Sequence, residues 1–129
     1  MPRPAGEVKR YNLEKYMKEI SNRSAILVTP KKPFNEWAEL YNDETEEDLN
    51  ERMNEKRTYL IEWTFDEDFS EILESYYLKI FEYELSMWNV YKHEWPQDRS
   101  IKNFKKWFNV ILSDELIDMK KEKIVYEKL

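Results

Sequence analysis

Between Phe69 and Asn89 the chain reads FSEILESYYLKIFEYELSMWN, and this stretch narrows the possible folds most. Phe69, Leu73, Tyr76, Tyr77, Ile80, Phe81 and Trp88 fall on one broad arc when plotted at roughly 100° per residue. Asp68 stands where a helix cap belongs, with Glu71 at the third position after it. A long helix of this kind must bury its arc against something. One carboxylate, Glu84, sits within the arc between Ile80 and Trp88, and a charge facing a core needs a partner.

What the helix packs on is written on either side of it. Ser24 to Thr29 is an aliphatic run ending at Pro30 and reads as a strand. Thr58 to Phe65, TYLIEWTF, is rich in β-branched and aromatic residues and reads as a second. Val110 to Met119 is a third strand candidate, with aliphatic side chains on both faces and acids between them. Lys120 to Leu129 fits a helical turn or a strand extension equally well.

Shorter helices are expected around these strands. Leu13, Tyr16, Met17 and Ile20 recur at helical spacing near the start. Pro33 suits a first helical turn, and Phe34, Trp37, Ala38 and Tyr41 then share a face. Thr45 with Asp48 marks another start, although only Leu49 and Met53 are apolar there, so that helix should lie on the surface. Pro96 breaks the long helix's pattern. Asp98 or Ser100 then caps a last helix carrying Ile101, Phe104, Trp107 and Phe108 on its apolar face. The expected order is α–β–α–α–β–α–α–β. This is an α+β fold: a small three-stranded sheet, expected to be antiparallel, with helices packed largely on one face. Residues 1–8, with two prolines and the only glycine, are expected to be a disordered tail, and 9–129 a single globular domain.

The same sequence excludes several kinds of chemistry. It holds no cysteine, one histidine and one glycine. Thiol nucleophiles, disulfides and Cys- or His-rich zinc sites are therefore unavailable. Phosphate-cradling glycine loops are excluded for want of glycines. His93-Glu94 would begin a zincin motif, but Gln97 stands where the second histidine belongs. No cofactor and no bound metal are expected. The absence of an apolar leader or membrane-length run points to a cytoplasmic protein that does not engage a membrane.

Charge is unevenly distributed. Residues 43–74 carry thirteen acidic and three basic side chains, whereas the whole chain has a net charge of −6. Such a block repels nucleic acid and attracts a basic protein surface, with Glu46, Glu47 and Asp48 as its candidate partner-binding residues. The alternative reading of the block is simply a solvated acidic face that aids solubility.

Candidate chemical groups are few. Glu84, in an aromatic setting, could act as a general acid or base, or could pair with Arg99 or a tyrosine hydroxyl and fix two helices together. The ion pair with Arg99 is the expectation adopted. Arg99, after Trp95-Pro96, could instead clamp an anion. Asp114 and Asp118 would alternate onto one strand face with Glu115 on the other, serving a cation site with Glu84 or guarding an edge strand. Four of the tryptophans, Trp37, Trp88, Trp95 and Trp107, could form a recognition surface or simply fill the core.

Pro33-Phe34 with Trp37, Ile80-Phe81-Glu82 with Glu84-Leu85 and Trp88, and Trp95-Pro96 with Arg99-Ser100, Phe104 and Trp107-Phe108 together carry a likeness. By these residues the chain, from Ile26 onward, resembles a group of small uncharacterised bacterial proteins. The resemblance implies a single compact domain and no activity. The function expected is therefore that of a non-enzymatic protein-binding domain with an acidic and aromatic surface, of which an immunity-type protein facing a basic toxin is one version. The alternative is a small hydrolase or ligand-binding protein with Glu84, Arg99 and Asp118 around a pocket.

Overall fold

Val28 lies at the middle of a three-stranded sheet and pairs with Arg57 on one side and Val110 on the other. The structure, a computed structural model, describes residues 16–42, 45–53, 55–65 and 67–129, with residues 52 and 53 as backbone. Its elements are β1 (Lys18–Glu19), β2 (Arg23–Pro30), α1 (Lys32–Glu39), α2 (Glu46–Met53), β3 (Arg57–Glu62), α3 (Phe69–Ser86), a 3₁₀ turn (Lys92–Glu94), α4 (Ile101–Trp107), β4 (Phe108–Ser113) and β5 (Ile117–Asp118). The main sheet has the order β3-β2-β4 and both pairings are antiparallel. This is the α+β arrangement expected.

Alternation along the strands separates the two faces. Ile26 and Val28 share one face with Tyr59 and Ile61 of β3 and with Phe108, Val110 and Leu112 of β4. That face carries the core, where Phe34, Trp37 and Ala38 of α1, Ile72, Leu73, Ile80, Phe81 and Leu85 of α3, and Phe104 of α4 pack against it. The opposite face leaves Leu60 and Ile111 about half exposed, at 47% and 54%. The helices therefore cover one face.

The core is knitted by rings. Phe108 lies 4.9 Å from Phe34 and 5.1 Å from Phe104 between ring centroids, and Phe81 lies 5.6 Å from both Phe104 and Phe108. All four are at most 2% exposed. Each such side chain stabilises the fold by about 1.5–3 kcal/mol through burial alone. The helices that bring them in start where the caps predict. The Asp68 side chain accepts from the Ser70 N–H at 2.8 Å, and the Ser100 hydroxyl accepts from the Asn103 N–H at 3.2 Å. Thr45 and Asp48 bond at the start of α2, whose Leu49 is buried while the remainder of its described side chains are exposed.

Several expectations are corrected. The helix expected around Leu13 to Ile20 is absent over its described part, where β1 pairs with β5 and the Ile20 N–H donates to the Leu116 carbonyl at 2.9 Å. Backbone groups satisfied by a segment a hundred residues away leave no local periodic signal. The third strand stops at Ser113: the Ser113 hydroxyl donates to the Glu115 carbonyl at 3.1 Å, and the chain turns before β5. Asp114 and Glu115 therefore lie outside the strand they were expected to guard. The second strand ends at Glu62, because the Thr64 N–H donates to the Ser24 hydroxyl at 3.1 Å instead of to a ladder carbonyl. The long helix ends at Ser86, three residues early. Residues 119–129 form no helix or strand, and the proposed tail, 1–8, lies outside the described residues.

Candidate functional site around Glu84

Glu84 is 3% exposed in the last turns of α3. Its Oε2 accepts from Arg57 Nε at 2.8 Å and from the Tyr59 hydroxyl. Arg57 and Tyr59 are two residues apart on β3, so alternation delivers both to the core face from which Glu84 is reached. The Tyr59 ring meets Tyr83 edge-on at 6.3 Å. Burial, then the hydrogen bond and charge of Glu84, hold the Tyr59 hydroxyl's pKa far above that of an ordinary phenol. Burial pulls on Arg57 in the opposite sense, yet the bond and charge of Glu84 outweigh it and leave the guanidinium's pKa raised. A carboxylate held this way, by a cation and a phenol, works as a brace between β3 and α3.

The ion pair between Glu84 and Arg99 is not formed. Arg99 lies instead by Glu82, with Nε 3.8 Å from its carboxylate, while Nη1 donates to the Pro96 carbonyl at 2.8 Å and the guanidinium sits 5.9 Å from the Trp95 ring centroid. Helix geometry explains the exchange. Glu82 and Glu84 are separated by about 200° around the axis, so one faces the Trp-Pro turn and the other faces the sheet. Asp118 lies in β5, where it pairs with Lys18 at 3.4 Å and accepts from the Lys120 N–H at 2.9 Å. Thus each of the three candidates has its own local partners.

One hollow adjoins the brace and a second lies next to it, the two sharing Met87 and Trp88. The first, of about 240 Å³, is lined by Pro30, Phe34, Glu55, Arg57, Glu84 and Trp88, with Met87. The other, of about 460 Å³, lies beyond Met87 and Trp88 and is bounded by Leu40, Tyr41, Asn89, Tyr91 and Glu94. The turn on its far side is fixed by side chains: Asn89 bonds Glu94 at 3.2 Å, and Trp95 Nε1 donates to the Asn89 carbonyl at 2.7 Å. Of these hollows, only the first is lined by Glu84, and neither by Arg99 or Asp118.

The chain leaves the rim of the larger hollow at Asn42 and returns on the rim of the smaller at Glu55. Between those points runs α2, with Glu46, Glu47 and Asp48 exposed in its first turn. Sequence reasoning offered a tyrosine hydroxyl for Glu84 without naming Tyr59, and it missed Arg57, although their period-two spacing in a strand was a usable signal. His93 is at the surface, its side chain 79% exposed. Trp37, Trp88, Trp95 and Trp107 belong to the core or pack against it, whereas Trp63 is half exposed and stacks on Phe65 at 5.2 Å.

Among the described residues, no group of three or more histidine, aspartate or glutamate side chains is placed to hold a metal ion. Nor is any described helix long and apolar enough to cross a membrane. In comparisons with known proteins, the chain matches no family model, no curated protein and no solved structure.

Proposed function

We infer that this chain is a non-enzymatic, cytoplasmic protein-binding domain that takes a basic partner protein on its acidic and aromatic side. The carrying observation is the position of α2, whose exposed Glu46, Glu47 and Asp48 lie on the segment joining the rims of two hollows. Those hollows add Glu55 and Glu94 to the acidic set and Tyr41, Trp88 and Tyr91 to the aromatic one. Acids beside rings suit lysine and arginine side chains, which pair with carboxylates while their stems and charges rest on aromatic faces. An immunity-type protein neutralising a basic toxin is one concrete version. The enzyme alternative needs Glu84, Arg99 and Asp118 on one cavity, and their separate partners give it no support.

A pull-down from the native host with mass spectrometry supplies the partner. Its affinity should then fall with rising salt and fall again when Glu46, Glu47 and Asp48 are all replaced by lysine. Affinity indifferent to both changes would remove this reading.

A further inference from the structure

β4 is an edge strand with no other strand on its outer side among the described residues. It reads Phe-Asn-Val-Ile-Leu-Ser, six residues without a charge or a proline. The opposite edge, β3, carries Arg57 and Glu62 at its ends. Sheet edges left open to solvent are ordinarily blunted by charge, proline or a bulge, because their unpaired N–H and C=O groups template another strand. β4 has none of the charge or proline that would discourage this.

Its flanks carry charge in an ordered way. Lys105 and Lys106 stand in the last turn of α4, just before the strand, and Asp114 and Glu115 follow just after it. All four are exposed. A neutral strand with bases at one end and acids at the other is complementary to itself when turned antiparallel.

We propose that β4 pairs antiparallel with β4 of a second copy of this chain, across a two-fold axis at Val110, giving a continuous six-stranded sheet. In this register Phe108 lies opposite Leu112 of the second copy, and Asn109 opposite its Ile111. Each opposed pair then shares a face, as antiparallel pairing requires. Beyond the strand ends, the same antiparallel orientation turns the helical Lys105–Lys106 end of one copy toward the Asp114–Glu115 turn of the other, at both ends of the paired strands. A hollow of about 280 Å³ borders the edge, lined by Phe69, Leu73, Phe108 and Val110 with Lys31 and Lys105. It gives the core-face Leu112 of the second copy an apolar seat. On the outer face, Ile111 of each copy, 54% exposed in the single chain, gains cover from the added strand.

Sedimentation equilibrium on the full chain tests this. The wild type should show a reversible dimer. The Lys105→Glu/Lys106→Glu and Asp114→Lys/Glu115→Lys variants should each weaken it about tenfold, since like charges then meet at both ends. Mixing the two variants should produce a heterodimer, and combining all four changes in one chain should restore the homodimer. Val110→Cys, the only thiol in such a chain, should form a disulfide-linked dimer on mild oxidation. A wild type that stays monomeric up to near-millimolar concentration overturns the proposal and leaves the edge to a different protein. So does a dimer indifferent to both charge variants, or one that Val110→Cys cannot cross-link.

Discussion

Arg57 and Glu84, twenty-seven residues apart, meet through a 2.8 Å bond from Nε to Oε2 that ties the first residue of β3 to the end of α3. The carboxylate side chain is 4% exposed and the guanidinium side chain 31%. The pair is thus dry on one side and wet on the other. Glu84 is the member with more to lose, because water cannot readily replace Arg57 around it.

Breaking this brace should be costly. Removing one partner of a buried pair typically destabilises by about 3–5 kcal/mol, and the partial exposure of Arg57 places Arg57→Ala near the lower end. Urea unfolding of Arg57→Ala, Glu84→Ala and the double variant should show a loss smaller than the sum. Glu84→Ala with Arg99→Ala should be additive, because Arg99 serves Glu82. Additivity in the first cycle, or coupling in the second, would reverse the assignment.

Tyr59 makes stability depend on alkaline pH. Its folded pKa is raised above the ordinary phenol value of 10.0 by burial and by Glu84. The unfolded chain therefore releases this proton first, and the stabilisation, complete below that pH, is lost as pH rises through and above it. Alkaline unfolding should be steeper for wild type than for Tyr59→Phe. Identical pH profiles would show that Tyr59 ionises freely in the folded state.

Two aspartates at the helix starts give the opposite sign. Hydrogen bonds from Ser70 hold the Asp68 carboxyl below its usual range, and those from Ser100 do the same for Asp98. Their contribution is present at neutral pH and is lost as pH falls through their lowered folded values. Asp68→Ala and Asp98→Ala should melt below wild type at pH 7, and the gap should narrow on acidification. A gap constant with pH would exclude the carboxylate form as the source.

Ser24 and Thr64, exposed 0% and 2%, form a buried polar contact where the chain leaves β3. The Ser24 hydroxyl accepts from the Thr64 N–H at 3.1 Å and shares a 2.9 Å bond with its hydroxyl. Ser24→Ala strands the Thr64 donor and should cost about 1–3 kcal/mol. Denaturant unfolding measures it, and a neutral effect would mean that water reaches the site.

The elements built from nearby residues were legible in the sequence. The apolar arc of α3 with the Asp68 cap, the Phe34–Trp37–Ala38 face of α1, the Ser100 cap of α4 and the aliphatic run of β2 all appear where local spacing puts them. That Glu84 is buried and paired was also legible, since a carboxylate in an apolar arc requires it. A tyrosine hydroxyl was among the partners expected for it, but its cation was not identified. Only the packing of α3 on the sheet decides that Glu84 meets β3 while Glu82, about 200° away around the helix, meets Arg99. Likewise β1 exists only because Ile117–Asp118 returns beside Lys18–Glu19, and the third strand ends early because its continuation pairs there. Propensity and periodicity act over one or two turns of chain. Which distant backbones satisfy one another is set by the whole packed arrangement, and in this protein that arrangement decided the brace, the ribbon and the open edge.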